Sequence, residues 1–321
     1  MKFPSPKARS RWLEQEGVRR QDGRLHRSNF RGIECGPHVD LGILLLLLAV
    51  AAIAAGLVGS LTGLGGAVVV IPVLVIFFSV PFVDAIGAGA VTVLATSTTT
   101  GAAYVRDRLS DLRIGMFLEI ATVPGALLGA TFTVFIAHLN LAAALMVALG
   151  VVLLLMVPLT ALRGNRRVRA ADVPDARSRQ LGLSGSYNDP NDGPVHYTAT
   201  NTDRALGIMF GAGFVSGMFG IGGGVFKVQA LEGALHLPMK VATATSNFMI
   251  GVTIAAGASV LLAAGYINPL IAAPVAIGTA IGAYAGSRVL PGLRNQTVRW
   301  IFVIVVAGLA AELILRGIGL P

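Results

Sequence analysis

Apolar residues fill this chain in eight long tracts, at about 41–80, 83–104, 114–137, 141–162, 205–235, 240–264, 267–290 and 298–315, with polar residues gathered between them. Tracts of twenty or more apolar residues need a bilayer as their solvent. Backbone groups in hydrocarbon must be satisfied within their own segment, so the tracts predict spanning helices. The first tract of each half is too long for one crossing. Forty residues of helix reach roughly 60 Å, against a hydrocarbon core of about 30 Å. Each reads as a spanning helix, a glycine-rich break, and a shorter helix that re-enters or lies obliquely.

One pattern occurs twice within these tracts. GLVGSLTGLGGAVVVIPVL, Gly56 to Leu74, is matched 157 residues later by GFVSGMFGIGGGVFKVQAL, Gly213 to Leu231. The register holds without a gap through Gly129 and Gly286, and matches fall at Gly63/Gly220, Gly65/Gly222, Gly66/Gly223, Pro81/Pro238 and Gly125/Gly282. Duplicated halves with a glycine-interrupted apolar segment at the same place are a sequence sign of a secondary transporter. The expected fold is an all-α polytopic membrane protein. It has two homologous repeats of about four transmembrane segments each, with Gly-broken first segments. Residues 41–162 form the first repeat and 205–321 the second.

Charge changes this picture in one respect, the orientation. Only 13% of residues are charged; nine of the 25 basic ones precede residue 32, and seven arginines lie between Arg163 and Arg204. Basic loops between spans follow from the positive-inside rule, so the high pI does not require nucleic acid. Residues 1–40 then form a basic cytoplasmic arm and 163–204 a polar cytoplasmic linker, with Arg106, Arg108 and Arg113 on the same side. Four net crossings per half satisfy this and imply parallel repeats, although Arg294 and Arg299 then fall outside. The linker, with SYNDPNDGP at its centre, lacks the apolar content for a core and reads as flexible. Cys35 is the single cysteine and permits no intramolecular disulfide.

The candidate chemistry begins at the breaks. Gly63, Gly65 and Gly66 in the first half, and Gly220, Gly222, Gly223 and Gly224 in the second, cost helix propensity of about 1 kcal/mol each relative to Ala. They also free amide groups that hydrocarbon cannot satisfy, which is tolerated where backbone lines a cavity or contacts a ligand. Close helix packing is the alternative, and it is the reading for the Gly278, Gly282, Gly286 series. Lys227 lies three residues after Gly224, where the first repeat has Val70. A charge at membrane depth costs about 2.5–3.5 kcal/mol even on insertion scales and points to function. Pairing with Glu232 or snorkelling to an interface are the alternatives. Glu119 and Glu312 lie near segment ends and are expected at the interface.

Hydroxyls and an amide follow each break. From this group Thr96, Thr243, Ser246 and Asn247 are expected to hydrogen-bond a substrate oxyanion, with Thr92, Ser97, Thr245 and Thr253 nearby. The five histidines are scattered without metal-ligand spacing, and no phosphate loop with its lysine is present. Neither an enzyme nor a cofactor is implied. The expected partners are a small anionic substrate and the lipid bilayer, without nucleic acid and with room for a homo-oligomer. A membrane-embedded scaffold docking through its basic arm and linker is the rival class.

Both glycine motifs, LPMKVATATSNFMIGVTIAAGA (Leu237–Ala258) and the stretch Gly87–Ala130 together resemble the sulfite exporter TauE/SafE family of bacterial permeases. The resemblance covers roughly 41–316 and implies transport of sulfite, sulfonates and related small anions across the inner membrane. Two departures stand out. The first motif is GLGGA rather than a triple glycine, and Pro72 stands opposite Gln229.

Overall fold

The computed structural model describes residues 41–62, 66–106, 109–139, 141–161, 176–189, 193–289 and 295–319. The first half contains α1 (Leu41–Thr62), α2 (Ala67–Phe77), α3 (Phe82–Arg106), α4 (Leu112–His138) and α5 (Ala142–Ala161). A short helix α6 (Ala176–Leu181) and strands β1 (Ser184–Asp189) and β2 (Gly193–Thr198) follow. The second half contains α7 (Thr202–Phe219), α8 (Gly224–Gln229), a π-helical turn (Ala230–Ala234), α9 (Met239–Ala263), α10 (Pro269–Val289) and α11 (Asn295–Gly317). Helix starts at Ala67, Phe82 and Leu112 recur 157 residues later at Gly224, Met239 and Pro269. Among the described residues, Phe82–Arg106, Leu112–His138, Met239–Ala263 and Pro269–Gly286 are each long and apolar enough to cross a membrane.

Small residues decide which faces of these uniformly apolar helices meet. α4 packs along α7, and α10 along α1. Gly213 and Gly217 of α7 lie on the backbone of Thr122 and Ala126, leaving no space for a Cβ. Gly278 and Gly282 of α10 lie in the same way on Ala49 and Ile53. This is the close approach that small residues allow between helices in lipid, as expected for the Gly278 series. Gly56 against Thr279 is the Gly213–Thr122 contact displaced by 157 in both partners. Large side chains such as Ile120, Leu155, Ile277 and Ile304 remain exposed on the outer face, where lipid suits them.

Helix directions follow from these contacts. Gly125 meets Phe210 and Gly129 meets Phe214, so α4 and α7 run parallel. Gly278 on Ala49 and Gly282 on Ile53 make α1 and α10 parallel as well. After each break the chain doubles back. Gly66 lies beside Gly56, and Gly89 of α3 meets Ile71 and Ala67 of α2. In the second half the return is complete: the Thr200 amide donates to the Leu235 carbonyl at 3.3 Å, so the π-helical turn ends where α7 begins. Three long helices then alternate in direction.

These directions bear on the expected four crossings per half. A helix pair that re-enters and returns adds no net crossing, and the four helices long and apolar enough to cross are α3, α4, α9 and α10. Leu41, at the start of α1, therefore lies at the opposite end of the bundle from the 176–200 segment. The arm, residues 1–40, lies outside the described residues. The same geometry puts the starts of α4 and α11 and the end of α10 at the linker end. Arg299, an outlier in the four-crossing scheme, lies in the first turns of α11 at that end, while Arg294 lies outside the described residues.

The linker is also less featureless than its composition suggests. β1 and β2 pair antiparallel, Ser184 opposite Thr198 and Tyr187 opposite Val195. Leu183 and Ala199 are buried in one core with Ile114, Leu118, Val228 and Leu231. The Tyr197 hydroxyl donates to Asp111 Oδ2 at 3.0 Å, while Asp111 Oδ1 caps α4 by accepting from the Ile114 amide at 3.1 Å. Burial first, and then the Asp111 carboxylate, push the Tyr197 phenol above its ordinary range. A raised phenol keeps its proton in the folded state. Its contribution is therefore complete below the unfolded value and is lost only as pH rises through the folded one. Limited proteolysis of the hairpin should be unchanged between about pH 6 and pH 9, both below the free tyrosine pKa near 10. Tyr197→Phe should speed cleavage across that range, because Asp111 then loses a donor.

Candidate functional site

The second break is built from left-handed glycines. α7 ends at Phe219; Gly220, Gly222 and Gly223 have φ of 65°, 80° and 63°, and α8 starts at Gly224. That conformation is penalised for residues with a Cβ. Space forbids one too. A Cβ at Gly220 would lie 2.6 Å from the Ile86 carbonyl, and one at Gly223 would lie 2.8 Å from the Ala212 carbonyl. Gly222 is wedged between Val93 of α3 and Ile250 of α9. The turn is thus set into the contact of α3, α7 and α9. In the first half Gly63 and Gly65 lie outside the described residues. Gly66 is right-handed, with room for a Cβ against Thr92 at 3.4 Å. The two breaks are not equivalent in detail.

Lys227, one turn into α8, is fully buried. Its Nζ donates to the Met249 carbonyl at 3.0 Å and to the Thr253 hydroxyl. Glu119 Oε1 lies 3.7 Å away. The Thr253 hydroxyl donates to the Glu119 carboxylate, both oxygens at 2.9 Å, and so bridges the cation and the anion. Thr122 donates to Glu119 Oε2 at 2.6 Å. The cluster therefore joins α8, α9 and α4, with all four side chains buried. An ammonium has three donors, and two have acceptors here. Glu119 Oε1, at ion-pair distance, is the remaining acceptor on offer to the third.

Several expectations change on this geometry. The carboxylate at ion-pair distance is Glu119, where chain spacing offered Glu232. Glu119 is 6% exposed and not interfacial, because it falls on the small-residue stripe Gly115, Glu119, Thr122, Ala126, Gly129 that α7 and α9 cover. That three-four spacing was the available signal. Glu312 does lie at a helix end, paired with Arg316 at 2.9 Å.

The hydroxyl set is spread out rather than convergent. Thr243, Ser246 and Asn247 precede Thr253 on α9 by ten, seven and six residues. They lie roughly 15, 10 and 9 Å along the axis from it, toward the linker end. Asn247 Nδ2 donates to the Thr243 carbonyl at 3.0 Å within its own helix. Ser246 is buried, and its hydroxyl has no hydrogen-bond partner among the described residues. Thr96 donates to the Val93 carbonyl at 3.1 Å. It stands 157 residues before Thr253, as Val70 stands 157 before Lys227. Only one of the two corresponding positions carries charge. No group of three or more metal-ligating side chains occurs among the described residues.

A family model described as sulfite exporter TauE/SafE matches residues 48–313. Among curated proteins, the chain is similar to the probable membrane transporter protein YunE of Bacillus subtilis (strain 168). They are 29% identical over 280 residues, covering 85% of this chain and 98% of that protein. It is also similar to the probable membrane transporter protein YdhB of the same organism, at 25% identity over 236 residues, 73% of this chain and 85% of that one. No solved structure matches the chain.

Proposed function

Because the chain belongs to the sulfite exporter TauE/SafE family, we propose that it moves a small anion such as sulfite, a sulfonate or a related oxyanion across the bacterial inner membrane. It is a multi-pass membrane permease and not an enzyme. The observation that carries the anion reading is Lys227, a fully buried cation one turn after the glycine break, bonded to two neutral oxygens with its carboxylate partner 3.7 Å away. A fold that only needed a spanning helix gains nothing from an intramembrane charge, which is why such a residue marks a transport path. Thr253 and the Gly220–Gly224 turn complete the proposed site, and Glu119 holds the lysine when no anion is present. Purified protein should be stabilised against heat by millimolar sulfite or methanesulfonate, and the Lys227→Met variant should not. Equal stabilisation of both proteins would remove Lys227 from the site.

The halves are, in this reading, inverted copies, supported by the recurring helix starts and by the pairing of α1 with α10 and of α4 with α7. The linker end is assigned to the cytoplasm on its arginines. Impermeant thiol reagents test this in a Cys35→Ser background. Ser184→Cys should resist labelling in intact cells, while Ala264→Cys, in the α9–α10 turn, should be labelled. Protection of both, or labelling of Ser184→Cys alone, contradicts the assignment.

A further inference from the structure

We infer that Glu119 is the proton carrier of this permease, releasing Lys227 to the transported anion when it is protonated and taking it back when it is not. The inference rests on Lys227 meeting that anion. Three observations carry it. Glu119 lies 3.7 Å from Lys227, close enough to neutralise it yet too far to bond it directly. The link between them is a hydroxyl, Thr253, which now donates to the carboxylate and accepts from the ammonium. A hydroxyl can turn and accept from a carboxylic acid instead. Finally, both groups are buried, so neither charge can be left alone at modest cost.

Among the described residues, Glu119 and Lys227 form no ion pair except with each other. α8 contributes Lys227, α9 contributes Thr253 and the Met249 carbonyl, and α4 itself contributes Thr122. The titratable side chains of α7, Asp203 and Arg204, are exposed at its linker end, as is Lys240 at the start of α9. Residues 142–161 of α5 carry no titratable side chain. Glu232, on the π-helical turn, is the other carboxylate of that segment and is half-buried.

The charge balance then fixes the stoichiometry. In the empty state the carboxylate and the ammonium cancel. A carboxylate oxygen of Glu119 accepts one proton from hydronium, leaving water and a neutral acid. The ammonium keeps its three hydrogens and binds one monovalent anion. The loaded site is again neutral, and on the far side the anion leaves while the proton returns to water. One proton therefore travels with one monovalent anion in the same direction, and no net charge crosses. A pH gradient drives such a cycle; a membrane potential does not.

Full-length protein in liposomes tests this with labelled methanesulfonate, whose charge is fixed over the usable range, and with labelled sulfite. Acidifying the outside should raise accumulation by up to about tenfold per pH unit, since each unit is a factor of ten in proton activity. A potassium diffusion potential should leave it unchanged, and a trapped pH dye should report acidification in step with uptake. Glu119→Gln mimics the protonated acid. It should abolish net uptake yet keep exchange of labelled for unlabelled anion, and Glu119→Asp should restore part of the coupled uptake. Wild-type uptake indifferent to the acid gradient, or driven by the potential without acidification, would overturn proton coupling and leave the anion site standing. No uptake or exchange of either anion would overturn the anion reading itself, and the coupling with it.

Discussion

Lys227→Met should lower transport by at least about tenfold, equivalent to roughly 1.4 kcal/mol, while the protein remains inserted at normal level. Methionine keeps much of the length and the apolar stem of lysine but removes the charge. Lys227→Arg should keep part of the activity, since charge persists although shape and hydration differ. The decisive comparison is with the ion-pair partner. Removing one member of a buried pair costs about 3–5 kcal/mol, because the other charge is left uncompensated, whereas removing both is often tolerated. If Lys227 only neutralises Glu119, the double variant Lys227→Met with Glu119→Gln should regain both stability and uptake. An anion site predicts that stability returns and uptake does not. Thermal melts and liposome uptake on the same four proteins separate the two.

The second large effect belongs to the glycine turn. Gly223→Ala places a Cβ on a left-handed residue, at about 1–2 kcal/mol, and drives it to 2.8 Å from the Ala212 carbonyl. Neither the helix backbone of α7 nor the turn can yield without moving α8 and the lysine it carries. Transport should fall below a tenth, and the melting temperature should drop. Gly66→Ala, at the corresponding position of the first half, meets ordinary contacts in a right-handed conformation and should retain most activity. Gly308→Ala on α11 has open space and should be neutral or slightly stabilising. Equal losses at Gly223 and Gly66 would show that the two breaks serve the same packing role.

Much of the helix pattern was readable in the chain because lipid leaves so few options. The apolar tracts had to be helices, and those read from about 83 and 240 begin within a residue of the helix starts at Phe82 and Met239. Lys227 stood out for the same reason, as a charge where hydrocarbon was expected. Orientation was harder to read. A forty-residue tract has one length whether it crosses or doubles back, and only the return of Leu235 to Thr200 distinguishes the two. Nor could the tracts say which side of α4 is buried. That helix is apolar all round, so Glu119 looked terminal until the backbones of Gly213 and Gly217 closed on its stripe. The hairpin at 184–198 escaped because its strands, SGSYND and GPVHYT, are polar and are ordered by Leu183, Ala199 and the Tyr197–Asp111 bond rather than by a core of their own.

Solute flux through the purified protein reaches the central claim with the fewest intermediate steps. Liposomes containing the full chain, loaded with unlabelled methanesulfonate or sulfite and diluted into the labelled anion, should show saturable counterflow. Other small sulfonates and oxyanions should compete, while cations and neutral solutes should not, and Lys227→Met should fall at least about tenfold below wild type. Counterflow absent for every small anion, or carried equally by neutral solutes and by the Lys227→Met protein, would contradict the account.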